Sequence, residues 1–287
     1  MKLRKAQSDF TIDDLPKNRR EVFLDCLKER FMLFLSMGLT LLVFALPLIV
    51  VTLLNDNALS GLYLTFADGG YSQEEYVALV RAANSMYSLF FIPCYVVLSV
   101  GLAGVMLVIR QLVWGEGVFF MQDMAEGIKS NGKNYVVIAF ILGLLSFLLN
   151  TFLPLSTNPF YIVVIILFAL LSFPPTGFMV SQIVIYKNTF FKYLRDGVYL
   201  CVRKVPITLL FMVLFMLPSI LGMNFLPFLA KYIMLAIFFI LPAPMLLTGW
   251  FLYTCSVFDE YINKEQYPEI HDKGVYRKGA DGRNVKG

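Results

Sequence analysis

Apolar residues run through the chain in six long segments, and none of the six contains Asp, Glu, Lys, Arg or His. The segments are Leu33–Leu54, Met86–Ile109, Tyr135–Leu155, Phe160–Tyr186, Val205–Leu221 and Tyr232–Val257. A hydrocarbon layer about 30 Å thick requires roughly 20 apolar residues in a helix that rises about 1.5 Å per residue. The pattern therefore predicts an all-α polytopic membrane protein with six transmembrane helices, the fifth of which is short.

Three stretches that flank the apolar segments have apolar residues at the spacing of one helix face. Their apolar positions are Val22, Phe23, Cys26, Leu27 and Phe31 in the first, Phe120, Met121, Met124 and Ile128 in the second, and Phe191, Leu194, Val198 and Val202 in the third. A period near 3.6 residues is typical of a helix that lies along a surface. Two interpretations remain open, which are anchoring at the lipid headgroups and docking of a cytosolic partner. The candidate docking or interfacial residues are Phe119, Phe120, Asp123, Gly127, Asn131, Lys133, Phe191, Gly197 and Arg203.

Glycines recur at nearly constant spacing. Gly104, Gly177 and Gly249, in the second, fourth and sixth segments, are separated by 73 and 72 residues. Small residues let membrane helices approach closely, so these three are candidate helix-packing residues. Gly127 and Gly197 match at an offset of 70. The spacing predicts three repeats of a surface helix plus a helical hairpin, at about residues 19–112, 118–186 and 190–258, and two crossings per repeat make the copies parallel.

The positive charges predict how the segments are threaded. Of the 24 Lys and Arg residues, all but Arg81 and Lys231 fall on one side of the membrane once the six segments cross it. Loops rich in Lys and Arg stay in the cytoplasm. Both termini are therefore predicted to be cytoplasmic. A charged stretch of about thirty residues precedes the first segment without a small-residue cleavage site, which argues against a cleaved signal peptide.

The charge pattern also divides the chain. Residues 1–32 are predicted to form a cytoplasmic N-terminal segment with an amphipathic helix, residues 33–257 a six-span membrane domain, and residues 258–287 a cytoplasmic polar tail. On the outer side, residues 55–85 are predicted to form a short interfacial helix or lid because they combine charges with aromatic rings. The other outer connections, at residues 156–159 and 222–227, are predicted to be tight turns.

Composition narrows the classes of partner and cofactor. The chain is 58% hydrophobic and 15% charged, with a net charge of +4. Anionic lipid accounts for that charge without nucleic acid. The four cysteines include no Cys-x-x-Cys pair, and they are interpreted as reduced packing residues. The single histidine, His271, lies in a polar tail and not in a ligand cluster, so neither a metal nor a cofactor is predicted.

Residues that carry out catalysis are scarce in the membrane segments. The chain has no Gly-rich phosphate loop, no Gly-x-Ser-x-Gly and no His-Glu-x-x-His. The spans also lack the titratable groups that proton-coupled pumps place in the membrane. A non-enzymatic protein is therefore predicted, with no catalytic residue. For the amides of Asn150 and Gln182, an interhelical hydrogen bond is favoured over a polar cavity, because an unpaired amide in hydrocarbon costs several kcal/mol.

One stretch resembles a known family. Between residues 101 and 134, a small-residue helix ends near Arg110 and is followed by a Gly115-Glu116 turn and a Phe-rich helix that ends near Asn131 and Lys133. This arrangement resembles the YesL-like family of bacterial integral membrane proteins. The resemblance implies a Firmicutes-type plasma-membrane protein associated with carbohydrate uptake and use, and it carries over no catalytic residue.

Two hypotheses for the function follow from the residues and the resemblance. The first is a non-enzymatic accessory or regulatory protein of carbohydrate uptake, with sugar transporter subunits as partners. The alternative is a transport permease subunit whose cytoplasmic surface helices dock an ATPase, since the runs Ala125-Glu126-Gly127 and Arg195-Asp196-Gly197 faintly resemble a coupling helix. An enzyme is the least favoured class, because only a cytoplasmic site with Asp123, Glu126 and Lys133 could supply titratable groups.

Overall fold

The computed structural model describes residues 16–152, 159–278 and 284–286, and nearly all of them are helical. The α-helices of this part are α1 Arg19–Glu29, α2 Phe31–Ala67, α3 Gln73–Val113, α4 Phe120–Phe152, α5 Pro159–Ile185, α6 Phe190–Arg203, α7 Val205–Phe225, α8 Phe228–Ile240, α9 Pro242–Phe258 and α10 Lys264–Gln266. A π-helical turn at Asp259–Asn263 and a 3₁₀ turn at Pro268–Ile270 flank α10. The strands β1 Tyr276–Lys278 and β2 Asn284–Lys286 form a short antiparallel ladder in the tail.

Four helices, α2, α3, α4 and α5, are long and apolar enough to cross a membrane on their own. Two further pairs pass the same test only together: the axis turns by 103° between α6 and α7 and by 45° between α8 and α9. The described residues therefore contain four candidate spans, or six if each bent pair is one span. The prediction of a helical chain with several candidate membrane-spanning helices is confirmed, with the small tail ladder as an addition. The predicted turn at 156–159 lies mostly outside the described residues, as do residues 1–15 of the N-terminal segment.

The helices α2 and α3 form a hairpin that is longer than a membrane is thick. At about 1.5 Å per residue, the 37 residues of α2 extend about 55 Å, against a hydrocarbon layer of about 30 Å. The chain turns between Ala67 and Gln73, where Ser72 and Glu75 form a reciprocal capping box and the rings of Phe66 and Tyr76 stack at 4.5 Å. Residues 55–85, which we expected to form a separate interfacial helix or lid, are thus continuations of the two long helices. We call this end of the bundle the hairpin end.

Two contacts hold α8 against α2. The ammonium of Lys231 pairs with the carboxylate of Asp56, and the Tyr232 hydroxyl donates a hydrogen bond to the same carboxylate at 2.7 Å. Farther along, a Cβ placed on Gly38 would lie 1.7 Å from the carbonyl oxygen of Ile240. Only glycine lets the two backbones approach this closely, so Gly38 determines how α2 and α8 pack.

The predicted surface helices differ among the three units. In the second unit, the amphipathic stretch at 120–128 is not a separate helix: it continues without a break into the third span as α4. No proline interrupts residues 120–152, so the helical hydrogen bonds run through. In the third unit α6 is a separate helix, and Pro206 at the second position of α7 favours the break because it has no N–H to bond the Val202 carbonyl and its ring would clash with that carbonyl if α6 continued. The threefold organisation stays a prediction.

The main core lies at the end of the bundle opposite the hairpin. There the C-terminal parts of α3, α5 and α9 pack with α1, α6, the start of α4 and the tail. Its largest fully buried side chains are Tyr135, Tyr193, Phe34, Phe178, Phe251, Phe258, Met37, Met106, Ile109, Leu200, Gln182 and Val105. Many apolar side chains of α2 and α4 remain exposed, as is normal for helices whose solvent is lipid. We call this end of the bundle the tail end.

Candidate functional site

The turn between α3 and α4 is fixed by one carboxylate. Asp123 is buried, and its two oxygens accept hydrogen bonds from the backbone N–H of Phe119 at 2.6 Å and from the side-chain amide of Gln111 at 3.2 Å. The first bond satisfies one of the free N–H groups at the start of α4, and the negative charge is favourable near a helix N-terminus. Asp123 therefore holds the tip of this turn in one geometry.

That tip presents two large apolar side chains to the surroundings. Phe119 is 72% exposed and Met121 is 78% exposed, whereas Phe120 packs partly against the core. On the same helix Lys133 is exposed and Asn131 is half-buried. Of the predicted docking residues in this stretch, Phe119 and Lys133 are thus accessible to a partner. Asp123 is buried and stabilises the turn instead.

Gly127 and Gly104 meet in the contact between α4 and α3. A Cβ on Gly127 would lie 2.9 Å from the Ala103 carbonyl oxygen and 2.9 Å from the Cα of Gly104. A Cβ on Gly104 would lie between 2.7 and 2.9 Å from atoms of Met124. Both positions are closed to larger residues, so Gly127 lies in a helix contact and not on an accessible surface.

Helix α6 has one buried and one exposed apolar face. Tyr193, Gly197 and Leu200 are buried, and a Cβ on Gly197 would lie 2.9 Å from the carbonyl oxygen of Pro175 in α5. Exposed apolar side chains on the other face belong to Phe191, Leu194, Val198 and Val202, with Phe191 the most exposed at 80%. The exposed guanidinium of Arg203 lies 5.3 Å from the ring of Tyr199. This helix therefore combines a face fixed to the protein with a free apolar face.

The remaining packing candidates, Gly177 and Gly249, differ from each other. A Cβ on Gly177 would lie 2.7 Å from the indole ring of Trp250, whose N–H donates to the Gly177 carbonyl at 3.1 Å. A Cβ on Gly249 would meet nothing closer than 3.7 Å, which is an ordinary van der Waals distance. Close helix approach thus accounts for Gly177 but not for Gly249.

The tail folds back onto the bundle through a set of polar contacts that we call the tail clasp. Arg19 forms an ion pair with Asp259 at 2.7 Å and donates a second hydrogen bond to the Lys273 carbonyl at 2.7 Å. Asp259 also accepts from the Asn263 amide at 2.8 Å and from the backbone N–H of Asp272 at 3.2 Å. The clasp joins α1 to residues near the end of the chain, so the predicted polar tail is packed against the core at these residues.

A second charged cluster lies beside the clasp. The Lys273 ammonium pairs with Glu116 at 2.8 Å and lies 4.1 Å from the centroid of the Trp114 ring. The Arg110 guanidinium lies on the same ring at 5.0 Å and donates to the Val184 carbonyl at 3.0 Å. Arg110 and Glu116 therefore act here as structural links between α3, α5 and the tail. Sequence reasoning missed Trp114 and Lys273, because nothing near them in the chain indicates their contact.

Several groups at the tail end have shifted pKa values. Burial raises the pKa of the Cys26 thiol to about 11. The Tyr186 hydroxyl donates a hydrogen bond to the Asn263 side chain. The hydrogen bond from Lys204, at 2.8 Å, lowers the pKa of the exposed Glu260 carboxyl. Burial is the main cause of the first shift, and hydrogen bonding to Lys204 is the main cause of the Glu260 shift.

The two amides within the spans have different surroundings. Asn150 donates from its side chain to the Ser88 hydroxyl at 3.0 Å, which joins α4 to α3 as an interhelical hydrogen bond. Gln182 is fully buried, and neither of its side-chain polar atoms has a partner among the described residues. The expectation of interhelical pairing is thus met by Asn150 and not by Gln182. Within residues 16–152, 159–278 and 284–286, no three His, Cys, Asp or Glu side chains come close enough to hold a metal ion.

Comparison with known proteins adds no assignment: no family model, no curated protein and no solved structure matches the chain.

Proposed function

We propose that this chain is a non-enzymatic, multi-pass protein of a bacterial plasma membrane that acts as an accessory or regulatory protein of carbohydrate uptake. In this proposal the chain crosses the membrane six times. Helix α6 is counted as an interfacial helix, α7 as a span, and α8 with α9 as one bent span. The tail end faces the cytoplasm, together with both termini. The resemblance of residues 101–134 to the YesL-like family supports the link to carbohydrate uptake, and the run of charges at the tail end supports the orientation.

The observation that carries the proposal is the tip of the α3–α4 turn. Phe119 and Met121 are the large apolar side chains exposed there, and Asp123 fixes the backbone beneath them. The charged cluster of Arg110, Glu116 and Lys273 lies at the same end, so the tip is beyond the apolar length of α3. Apolar side chains that are held rigidly outside the hydrocarbon layer are suited to docking a partner, because little conformational entropy is lost on binding.

The second candidate is a permease subunit that docks an ATPase. It is favoured by α6, a separate helix that connects two candidate spans and turns by 103° from the second. It is disfavoured by Gly197, because that residue of the coupling-helix resemblance is buried against α5 and is not accessible to a partner. The accessory role therefore remains the better supported of the two.

Site-specific photo-crosslinking tests the proposal. A benzophenone amino acid in place of Phe119, in native membranes of cells growing on the transported sugar, is expected to link the chain to a sugar-transporter subunit. The variant Phe119→Ala with Met121→Ala should lower sugar uptake. Leu24→Ala, which removes an exposed apolar side chain from α1, serves as the matched control.

The outcomes separate the two candidates. A crosslink to a membrane-embedded transporter subunit, with uptake lowered in the Phe119→Ala, Met121→Ala double variant but not in the Leu24→Ala control, supports the accessory role. A crosslink to an ATPase, together with ATP-driven flux when the purified chain and that ATPase are reconstituted in vesicles, would replace it with the permease role. Equal uptake in the Phe119→Ala, Met121→Ala double variant and the Leu24→Ala control would refute docking through the tip.

A further inference from the structure

A half-open cavity of about 400 Å³ lies between α5, α7 and α9. Its walls include Phe173 and Val180 of α5, Phe211 and Met212 of α7, and Leu247 and Trp250 of α9. The volume is within the range of about 300–1,000 Å³ that is typical of small-molecule sites. Methionine side chains, here Met212 and Met216, adapt to flexible apolar ligands. The cavity is therefore large enough for a ligand and has a lining that suits an apolar one.

The polar side chains of the lining have their donors in use. Thr176 and Thr208 each donate to the carbonyl four residues earlier in the chain, at 2.6 and 2.7 Å. The N–H of Trp250 donates to the Gly177 carbonyl. A sugar or another polar solute would find none of these donors free, and leaving its hydroxyls without partners in an apolar cavity is costly. The cavity thus excludes polar solutes and favours a hydrocarbon chain.

The position of the opening indicates the source of that chain. Phe173 at the rim is 47% exposed, and the outward face of α7 exposes Leu210 and Val213 by 57% and 53%. Apolar side chains so exposed on a candidate spanning helix face lipid. Because Phe173 lines the cavity and is itself exposed, the cavity is open to the surroundings of the helices, where the available apolar chains are those of lipids.

Charge at one end of the cavity indicates the headgroup. Thr208 in the wall is hydrogen-bonded to the carbonyl of Lys204, so the cavity begins one helical turn from the junction of α6 and α7. Residues 187–204, which contain α6, include five Lys or Arg residues against one Asp. Arg203, beside the junction, is exposed and has no carboxylate within ion-pair distance among the described residues. Because the axis turns by 103° there, α6 lies nearly perpendicular to α7, at the depth where headgroups sit.

We infer that this cavity binds the acyl chain of an anionic phospholipid from the leaflet at the tail end, with its phosphate at Arg203 and the junction of α6 and α7. The acyl chain fills the groove between α5, α7 and α9, and the exposed guanidinium of Arg203 beside the junction selects a negative headgroup. The inference does not depend on the proposed role in carbohydrate uptake.

Photolabelling of the full chain in nanodiscs tests the site. The probe is phosphatidylglycerol with a diazirine near the end of one acyl chain, in a background of phosphatidylcholine, and adducts are mapped by mass spectrometry. We expect adducts on residues 173–180 and 211–216. Met212→Trp fills the cavity and should lower their yield about tenfold. Leu210→Trp, on the lipid-facing side of the same helix, is the matched control and should leave the yield unchanged.

A second set of variants tests the headgroup contact. Arg203→Gln should lower the yield with the phosphatidylglycerol probe about fivefold, whereas Arg195→Gln at the other part of α6 should not. Unlabelled phosphatidylglycerol should compete with the probe more strongly than unlabelled phosphatidylcholine does. If Met212→Trp fails to fold, Leu247→Phe on the opposite wall and the competition series give the same readout.

Three results would overturn the inference. One is adducts spread equally over the outer face of α7 and the cavity lining. Another is labelling centred instead on the wholly apolar cavity of about 490 Å³ between α7, α8 and α9, lined by Met234 and Phe238. The third is competition by a polyprenyl phosphate but not by phosphatidylglycerol, which would assign the site to a lipid other than a bilayer phospholipid.

Discussion

Replacement of Arg19, the positively charged residue of the tail clasp, provides a quantitative test of the fold. Arg19 and Asp259 are 240 positions apart in the chain, and their side chains are only 15% and 10% exposed. In Arg19→Gln the carboxylate of Asp259 would keep its hydrogen bonds from Asn263 and from the backbone of Asp272, but it would lose its charge partner. Breaking a buried ion pair in this way leaves an uncompensated charge in a poorly solvated position.

The expected cost is large compared with that of a surface pair. Loss of one partner of a buried pair costs about 3–5 kcal/mol, and we expect about 3 kcal/mol because two hydrogen bonds to the carboxylate remain. The matched control is Arg195→Gln. That residue pairs with Asp196 at 3.0 Å but is 75% exposed. A surface pair of this kind contributes about 0–1 kcal/mol, so the control should leave stability nearly unchanged.

The measurement is the free energy of unfolding in mixed micelles, obtained by titration with SDS. Asp259→Asn and the double variant complete a cycle, and the coupling between the two positions should be about 1–3 kcal/mol. If Arg19→Gln costs no more than Arg195→Gln, or if the double variant costs the sum of the single ones, the clasp does not hold the tail in the way described.

Three further predictions concern packing, titration and the paired amide, with the free energy of unfolding as the readout. Gly38→Ala should cost at least about 3 kcal/mol, because its Cβ would overlap a backbone carbonyl of α8, whereas Gly249→Ala should be neutral or stabilising by up to about 1 kcal/mol. Stability should fall as the pH rises from 9 to about 11, because the Cys26 thiol ionises first in the unfolded chain, where its pKa is 9.0, and Cys26→Ala should reduce that fall. Asn150→Leu should cost less than about 1 kcal/mol, since an interhelical hydrogen bond such as its bond to Ser88 contributes about 0.6 kcal/mol on average.

Opposite results would contradict each argument. An unchanged stability in Gly38→Ala would show that α2 and α8 are not in backbone contact. A pH dependence that persists in full in Cys26→Ala would assign it to another group. A cost above about 3 kcal/mol for Asn150→Leu would exceed the strongest interhelical bonds known in membranes and would indicate a polar site around that amide.

The helices themselves could be predicted from the sequence, because each requires only a local pattern. An unbroken apolar run of hydrocarbon length has one stable form in lipid, so the candidate spans follow directly. The extent of α4 could not be predicted. Its polar start reads as a surface helix by periodicity, but periodicity carries no information on whether the backbone bends between Gly127 and Tyr135.

The candidate site could be predicted only in part, because exposure depends on distant residues. Phe119 and Phe191 are exposed as a docking interpretation requires, whereas Gly127 and Gly197 lie in close helix contacts. A glycine in a membrane sequence is equally compatible with an exposed position and with a close helix contact, because the sequence does not show which helix packs against it. The tail clasp was beyond prediction for the same reason, since Asp259 reads as an ordinary polar residue after the last apolar run.

The tail clasp can form only late in synthesis, because its two halves are far apart in the sequence. Pro16 and Arg19 are synthesised before the apolar segments, but their partners Tyr276, Asp259 and Lys273 are synthesised only after those segments. During translation α1 therefore lacks these contacts while the intervening helices are made. Closure of the clasp requires that the residues between Arg19 and Asp259 have already been made, so it is a late event in folding.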